Sequence, residues 1–164
     1  FSQALCRMSE EDLEALETPE EKFKGAIKLC RLTNIYDGDT ATIVFYNGEK
    51  LECFKFRVYG YDSPEMRLPK SWSLDKRAQK KRDAVCAKVA FANFTEGKKL
   101  VVDIMGKDKY GRLLGKLYAF PRKSGSCHDI SDVLGDMKKY DVAHYMITNN
   151  HGYSYTGGKK RTSK

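Results

Sequence analysis

The stretch from residue 40 to residue 61 constrains the fold more than any other part of the chain. Residues 40–46 are rich in β-branched and aromatic side chains, which favours a strand. Asn47-Gly48 follows, a strong signal for a short hairpin because both central turn positions favour a positive φ. Residues 51–61 then return with apolar and polar side chains in alternation. This stretch therefore predicts an antiparallel hairpin with one buried face.

The rest of the chain extends the hairpin to a larger sheet. We expect a strand over 25–35, a helix over 74–94, strands over 100–105 and 113–120, and a second helix over 129–140. Five strands with a helix after the third are typical of an OB-type barrel. The predicted fold class is therefore α+β, a five-stranded OB-type β-barrel with two or three packed helices.

Two features of the first helix are specific enough to test. Ser73 is a good N-cap, and Gly97 is expected to end the helix. The apolar side chains recur at spacings of seven, four and three residues, which predicts one stripe facing the core. The residues of that stripe are Ala78, Val85, Val89 and Ala92.

Charge divides the chain into two parts. The net charge is +8, yet the first 20 residues carry −5, so the remainder carries +13. We expect residues 1–22 to form an acidic helical appendage capped by Ser9, and residues 23–164 to form the barrel domain with a basic C-terminal tail. A basic domain of this kind attracts polyanions, so nucleic acid is the first candidate partner.

Composition excludes several classes of protein. No apolar run approaches the roughly 18 residues of a membrane span, so we expect no membrane partner. The five cysteines are irregularly spaced and form no zinc-binding framework. An odd number of thiols favours reduced cysteines and an intracellular or virus-associated setting. We expect the chain to act as a monomer.

Acidic and arginine side chains cluster where the predicted strands end. Hydrolysis of a phosphodiester needs cationic groups around the phosphate and a carboxylate to activate or orient water. A divalent cation in such a site takes oxygen ligands. The candidates are Asp39 and Asp62 for a metal, Glu65 for water, and Arg57 and Arg112 for phosphate. Arginine suits the phosphate because its planar fork contacts two oxygens at once.

Taken in order, these clusters resemble the staphylococcal-nuclease family, an OB-barrel with added helices. The likeness runs from about residue 27 to residue 145. It is closest to family versions with a Tyr-x-Gly-Gly-Lys ending, which residues 155–159 match in type. The matching motifs are Asp37-Gly38-Asp39-Thr40, Phe56-Arg57-Val58, Asp62-Ser63-Pro64-Glu65 and Asp108-Lys109-Tyr110-Gly111-Arg112.

The resemblance implies a calcium-dependent endonuclease that acts on DNA, RNA or both and leaves 3′-phosphate products. It assigns Asp39, Asp62 and the Ser63 carbonyl to Ca²⁺. It assigns Glu65 to the attacking water, and Arg57 and Arg112 to the phosphate in the transition state. Lys109 and Tyr110 would hold the terminal phosphate of the nucleotide. The tyrosine that stacks on a base is taken as Tyr145, with Tyr155 as the alternative.

Two other functions fit parts of the pattern. A catalytically silent nucleic-acid-binding module of the same fold would share the basic charge, but such modules typically lack the acids or arginines. An unrelated OB-fold binder of single-stranded DNA needs exposed aromatic side chains on its strands. Tyr36, Tyr46, Tyr59 and Tyr61 are the candidates for that role. Calcium-dependent hydrolysis of an oligonucleotide separates the nuclease from both alternatives.

Overall fold

The fold is described from a computed structural model, which covers residues 22–122 and 137–158. It contains seven strands, two helices and one 3₁₀ turn within those ranges. The strands are β1 (Ile27–Ile35), β2 (Thr40–Asn47), β3 (Lys50–Val58), β4 (Gly60–Asp62), β5 (Lys99–Lys107), β6 (Leu113–Phe120) and β7 (Tyr153–Tyr155). The helices are α1 (Leu74–Thr95) and α2 (Val142–Thr148), and the 3₁₀ turn spans Met137–Tyr140.

Five of the strands close into a barrel in the order β1-β2-β3-β6-β5, and β5 pairs back with β1. All pairs are antiparallel except β3 with β6, which run parallel. This is the five-stranded OB-type barrel that the sequence predicts, with helices packed against it. The helices that are described include none long and apolar enough to cross a membrane.

The hairpin between β2 and β3 forms, but its turn lies one residue later than predicted. Asn47 pairs with Lys50, so the two turn residues are Gly48 and Glu49. Gly48 has a φ of +61°, whereas Asn47 has no positive φ. A glycine at the first central position with an ordinary residue after it is typical of a type II′ turn, and this explains the shift.

Helix α1 matches its predicted bounds and cap, but its predicted stripe is wrong. The backbone N–H of Lys76 donates to the Ser73 side chain, which caps the helix. Val85 and Val89 are exposed, by 40% and 49%. The buried face instead consists of small residues around one aromatic ring: Ala84, Ala87, Ala90, Phe91 and Thr95. Small side chains let the helix approach the barrel closely. The spacing of apolar residues does not reveal this, because it does not distinguish small side chains from large ones.

The C-terminal part holds two elements that the sequence analysis missed. Helix α2 buries Val142, Ala143 and Met146, and the short strand β7 pairs with β4 in a separate two-stranded sheet. Gly60, with a φ of +109°, separates β3 from β4 and so ends the long predicted strand over 51–61. The acidic appendage of residues 1–22 and the helix over 129–140 lie almost wholly outside the described residues.

Candidate active site

The candidate site begins where strand register brings two distant segments together. Thr40, the first residue of β2, pairs with Arg57 near the end of β3. The Val58 backbone N–H donates to the Asp39 carbonyl at 2.9 Å, which extends this pairing by one step. Asp62 ends β4, just past the break at Gly60. The hairpin and the strand break therefore bring Asp39, Arg57 and Asp62 to one end of the barrel.

Arg57 lies between the two aspartates. Its Nη1 is 3.0 Å from Oδ2 of Asp39, and its Nη2 is 3.2 Å from Oδ1 of Asp62. The Nη1 also donates to the Val58 carbonyl at 3.0 Å. All three side chains are buried, with less than a tenth of each exposed. One guanidinium therefore faces two carboxylates, and the buried cluster carries a net charge of −1 when both are ionised.

Asp39 is held by several donors besides Arg57. Its Oδ2 accepts the Ser63 backbone N–H at 2.9 Å, and its Oδ1 accepts the Thr40 hydroxyl at 3.0 Å. Burial raises the pKa of Asp39 above its ordinary value; the charge of Arg57 opposes this shift, and the charge of Asp37 adds to it. Additional positive charge near Asp39 would therefore favour its ionised form.

Close packing beneath the site fixes its backbone. The buried Tyr61 hydroxyl donates to the Gly38 carbonyl at 2.5 Å, and burial raises the pKa of Tyr61 well above its ordinary value. A Cβ on Gly38 would lie 2.8 Å from Cβ of Ser63 and 2.9 Å from Cβ of Ala87. Gly38 is therefore required by close approach of the Asp39 turn to α1 and to the segment after β4.

The loop between β5 and β6 brings the second arginine to the same cleft. Asp108 accepts the backbone N–H groups of Tyr110 and Arg112 on Oδ1, both at 2.9 Å. Its Oδ2 is 2.6 Å from Nε of Arg112. The Nη1 of Arg112 donates to the Thr40 hydroxyl at 3.3 Å. Because Thr40 also contacts Asp39, one hydroxyl joins the Arg112 side of the site to the buried cluster.

A cleft of about 780 Å³ opens over these residues. The structure brings eight of the nine predicted site residues to its lining: Asp39, Arg57, Asp62, Ser63, Glu65, Lys109, Tyr110 and Arg112. Tyr145 is not among the lining residues. Its ring stacks on Phe94 of α1 instead, with centroids 4.0 Å apart, while the alternative Tyr155 does line the cleft.

The sequence analysis did not foresee the role of β7 at this site. Tyr153 pairs with Asp62 across the small sheet, and its hydroxyl donates to Oδ2 of Asp62 at 2.8 Å. Residues 155–158 form one wall of the cleft. The Tyr-x-Gly-Gly pattern indicated that this segment is functionally important. No pattern within residues 153–155 indicated that they would pair with β4.

The donor atoms of the buried cluster are oxygens. The part of the chain that the structure describes holds no group of three or more His, Cys, Asp or Glu side chains arranged around a metal. It does hold two carboxylates that share the Arg57 guanidinium, and the Ser63 hydroxyl is buried beside them with no hydrogen-bond partner. Oxygen donors with excess negative charge suit a hard cation such as Ca²⁺.

Models of known protein families give no match to the chain, and a sequence search of curated proteins finds no significant relative. The functional interpretation therefore depends on the motif residues and on their arrangement in the cleft.

Proposed function

We propose that the protein is a calcium-dependent nuclease of the staphylococcal-nuclease type, which hydrolyses phosphodiester bonds of DNA, RNA or both. The observation that carries the proposal is the Asp39–Arg57–Asp62 cluster at the base of a cleft that Arg112 and Glu65 also line. Acids alone would repel an anionic substrate, and arginines alone would bind it without activating water. Both kinds of group border the same cavity here.

The arginines would neutralise charge on the scissile phosphate. As the water attacks, negative charge builds on the phosphate oxygens, and a guanidinium aimed at them stabilises the transition state. Arg112 is suited to this because Asp108 and Thr40 fix its orientation from two sides. Arg57 is held by two carboxylates, which keep its fork at the base of the cleft.

Glu65 is the candidate for orienting or deprotonating the attacking water. Its side chain is exposed and lines the cleft, so it is accessible to solvent. It follows Asp62 by three residues, and Pro64 restricts the backbone between them. Lys109 and the exposed Tyr110 border the cleft on the Arg112 side, where they would contact a neighbouring phosphate.

Calcium would be held by carboxylate oxygens of Asp39 and Asp62 and by the Ser63 carbonyl. Their all-oxygen chemistry and the net negative charge of the cluster support this assignment. When bound, such a cation supplies Lewis-acid stabilisation of phosphate charge. The raised pKa of Asp39 means that cation binding and proton binding would compete at this carboxylate.

The decisive experiment measures hydrolysis of a fluorescently labelled single-stranded oligonucleotide at neutral pH, with Ca²⁺ and with a chelator. We expect calcium-dependent cleavage, and loss of cleavage in Asp39→Ala and Asp62→Ala. Arg112→Lys should lower the rate on the order of 100-fold, as loss of one transition-state donor does. Arg31→Lys on the outer face of β1 is the matched control and should retain the wild-type rate.

The metal preference tests the calcium assignment separately. Ca²⁺ accepts six to eight oxygens in flexible geometry, whereas Mg²⁺ demands a tight octahedron. We therefore expect Ca²⁺ to support a higher rate than Mg²⁺, Mn²⁺ or Zn²⁺. Equal or better rates with Mg²⁺ would contradict calcium. Binding of the oligonucleotide without cleavage in any of these metals would instead identify a silent nucleic-acid-binding module.

A further inference from the structure

The first turns of α1 carry an unusual concentration of basic side chains. Residues 67–82 include seven Lys and Arg and one Asp, a net charge of +6. The ion pairs seen among the described residues use Lys50, Arg57 and Arg112 as their cations, and all three lie outside this segment. The ordinary explanation is a solvated helix face, in which long basic side chains point away from the barrel. The burial of two of them argues against it.

Arg77 and Lys80 lie on the inward stripe of α1, not on its outer side. On a helix of 3.6 residues per turn they continue the row of Ala84, Ala87 and Phe91. Those three residues are buried, and Arg77 and Lys80 are themselves half-buried. The inward stripe of α1 is therefore apolar from Ala84 onward, but its first two positions are the basic residues Arg77 and Lys80.

The Arg77 guanidinium is incompletely satisfied. Its Nε is buried and has no hydrogen-bond partner among the described residues. A buried donor without an acceptor is destabilising, and native proteins rarely retain one without a reason. Arg77 as a whole is only half-buried, so a small movement of its side chain would bring this donor to a phosphate oxygen, which the fork of arginine Nε and Nη atoms matches.

This end of α1 is continuous with the cleft. The Lys81 ammonium donates to the Met66 carbonyl at 3.3 Å, which joins the helix to the loop after β4. Met66 and Arg67 of that loop line the cleft. Trp72 follows in the same loop, just before α1. The ammonium of Lys76 in the first turn of α1 lies over the Trp72 ring, 4.2 Å from its centroid. An extended anion that leaves the cleft past Arg67 would meet the basic end of α1 next.

We propose that Arg77 and Lys80, together with Arg67 of the cleft lining, form a second phosphate-binding surface for the single-stranded nucleic acid that the cleft cleaves. The surface would bind backbone phosphates beyond the scissile bond. It would therefore strengthen the binding of substrates that are long enough to reach it. This inference rests on the proposed nuclease function and adds to it a binding surface outside the cleft, which a strand longer than a dinucleotide would reach.

Salt dependence of binding gives the main test. Binding of a fluorescein-labelled thymidine 12-mer is measured by anisotropy in a chelator, where no cleavage occurs, over a range of salt concentrations. Each phosphate contact contributes about 0.7 to the slope of log affinity against log salt for single strands. Arg77→Gln/Lys80→Gln should therefore lower the slope by about 1.4. The control Arg31→Gln/Lys55→Gln removes the same charge from exposed positions of β1 and β3 and should leave the slope unchanged.

The only tryptophan gives a second test that needs no variant. The ring of Trp72 contacts Lys76, the residue before Arg77, so its fluorescence should change when the 12-mer binds beside it in the wild-type protein. It should not change with a thymidine dinucleotide, which is too short to extend from the cleft. Equal responses to both, or no response to the 12-mer, would overturn the proposal even if the double variant failed to fold.

The outcomes separate this proposal from the nuclease function on which it rests. Calcium-dependent hydrolysis of the 12-mer by the wild-type protein tests the function alone, because it is measured without reference to the salt slope. If that hydrolysis occurs and the two double variants give the same salt slope, the second surface is wrong and the nuclease stands. If the slope falls as expected but nothing is hydrolysed, the nuclease is wrong and the surface belongs to a binding module.

Discussion

Removal of the charge at Arg57 should destabilise the protein strongly, and calcium should reverse much of the loss. Arg57→Gln keeps a polar side chain but leaves Asp39 and Asp62 without the guanidinium that faces both. The three side chains are 5% to 9% exposed, so water cannot solvate the two remaining carboxylates effectively. Truncating one partner of a buried ion pair costs about 3–5 kcal/mol, because the remaining charge stays buried.

That range translates into a large thermal shift. For a protein of 150–250 residues, 1 kcal/mol corresponds to about 2–4 °C in Tm, so we expect a fall of about 6–20 °C. The free energy of unfolding of a natural domain is only about 5–15 kcal/mol, which makes this loss a substantial part of the total. Arg57→Lys should lose less stability than Arg57→Gln, because an ammonium retains the positive charge. Some stability should still be lost, because an ammonium cannot contact both carboxylates at once.

The assay is chemical and thermal unfolding in a chelator, followed by circular dichroism, for the wild type, both Arg57 variants and Arg31→Gln. The Arg31 variant removes an exposed charge and should stay within about 0.5 kcal/mol of the wild type. Millimolar Ca²⁺ should then raise the Tm of Arg57→Gln more than that of the wild type, since the two carboxylates gain a cation. A loss below about 1 kcal/mol in the chelator would refute the charge argument. The absence of a calcium shift in both proteins would refute the metal assignment.

Three further predictions concern the surroundings of this cluster. Tyr153→Phe removes a hydroxyl that donates to a buried carboxylate, so the free energy of unfolding should fall by about 1 kcal/mol in urea titrations; no change would mean that β7 contributes little to the site. Gly38→Ala introduces contacts of 2.8–2.9 Å and should cost about 1–3 kcal/mol, with an unchanged unfolding midpoint as the contrary result. Burial raises the pKa of Cys30 to about 12, so iodoacetamide at pH 8 should label the exposed Cys53 and Cys86 but not Cys30 in the native protein, as peptide mapping would reveal.

Elements with strong local patterns were predicted well from the sequence. The last barrel strand spans residues 113–120 as expected, because its alternation of buried and half-buried side chains is regular. The long helix begins after Ser73 as expected, because its cap is a local interaction. The strand alternation also placed Arg57 opposite the core face of β3. That position is buried because Asp39 and Asp62 cover it, which no single-strand pattern reveals.

The missed elements depend on contacts between distant residues. Helix α2 has only seven residues and buries three of them against the barrel, so tertiary packing rather than helix propensity stabilises it. Strand β7 has three residues and exists only through its pairing with β4. The family resemblance gives the base-stacking role to Tyr145, with Tyr155 as the alternative. The helix that carries it directs the ring onto Phe94 instead.

A calcium-dependent nuclease, as proposed above, would have to attract a cation and a polyanion to one cleft, and the charges of this chain suit both. A cation is attracted by a local excess of negative charge, which the Asp39–Arg57–Asp62 cluster supplies with its net charge of −1. A polyanion would be attracted by the net charge of +13 that the chain carries after its first 20 residues. Arg57 would be essential to this balance. Without it the charge of the cluster would change from −1 to −2 and would repel a phosphate more strongly, and a second arginine in the cluster would remove the negative charge on which the proposed cation site depends.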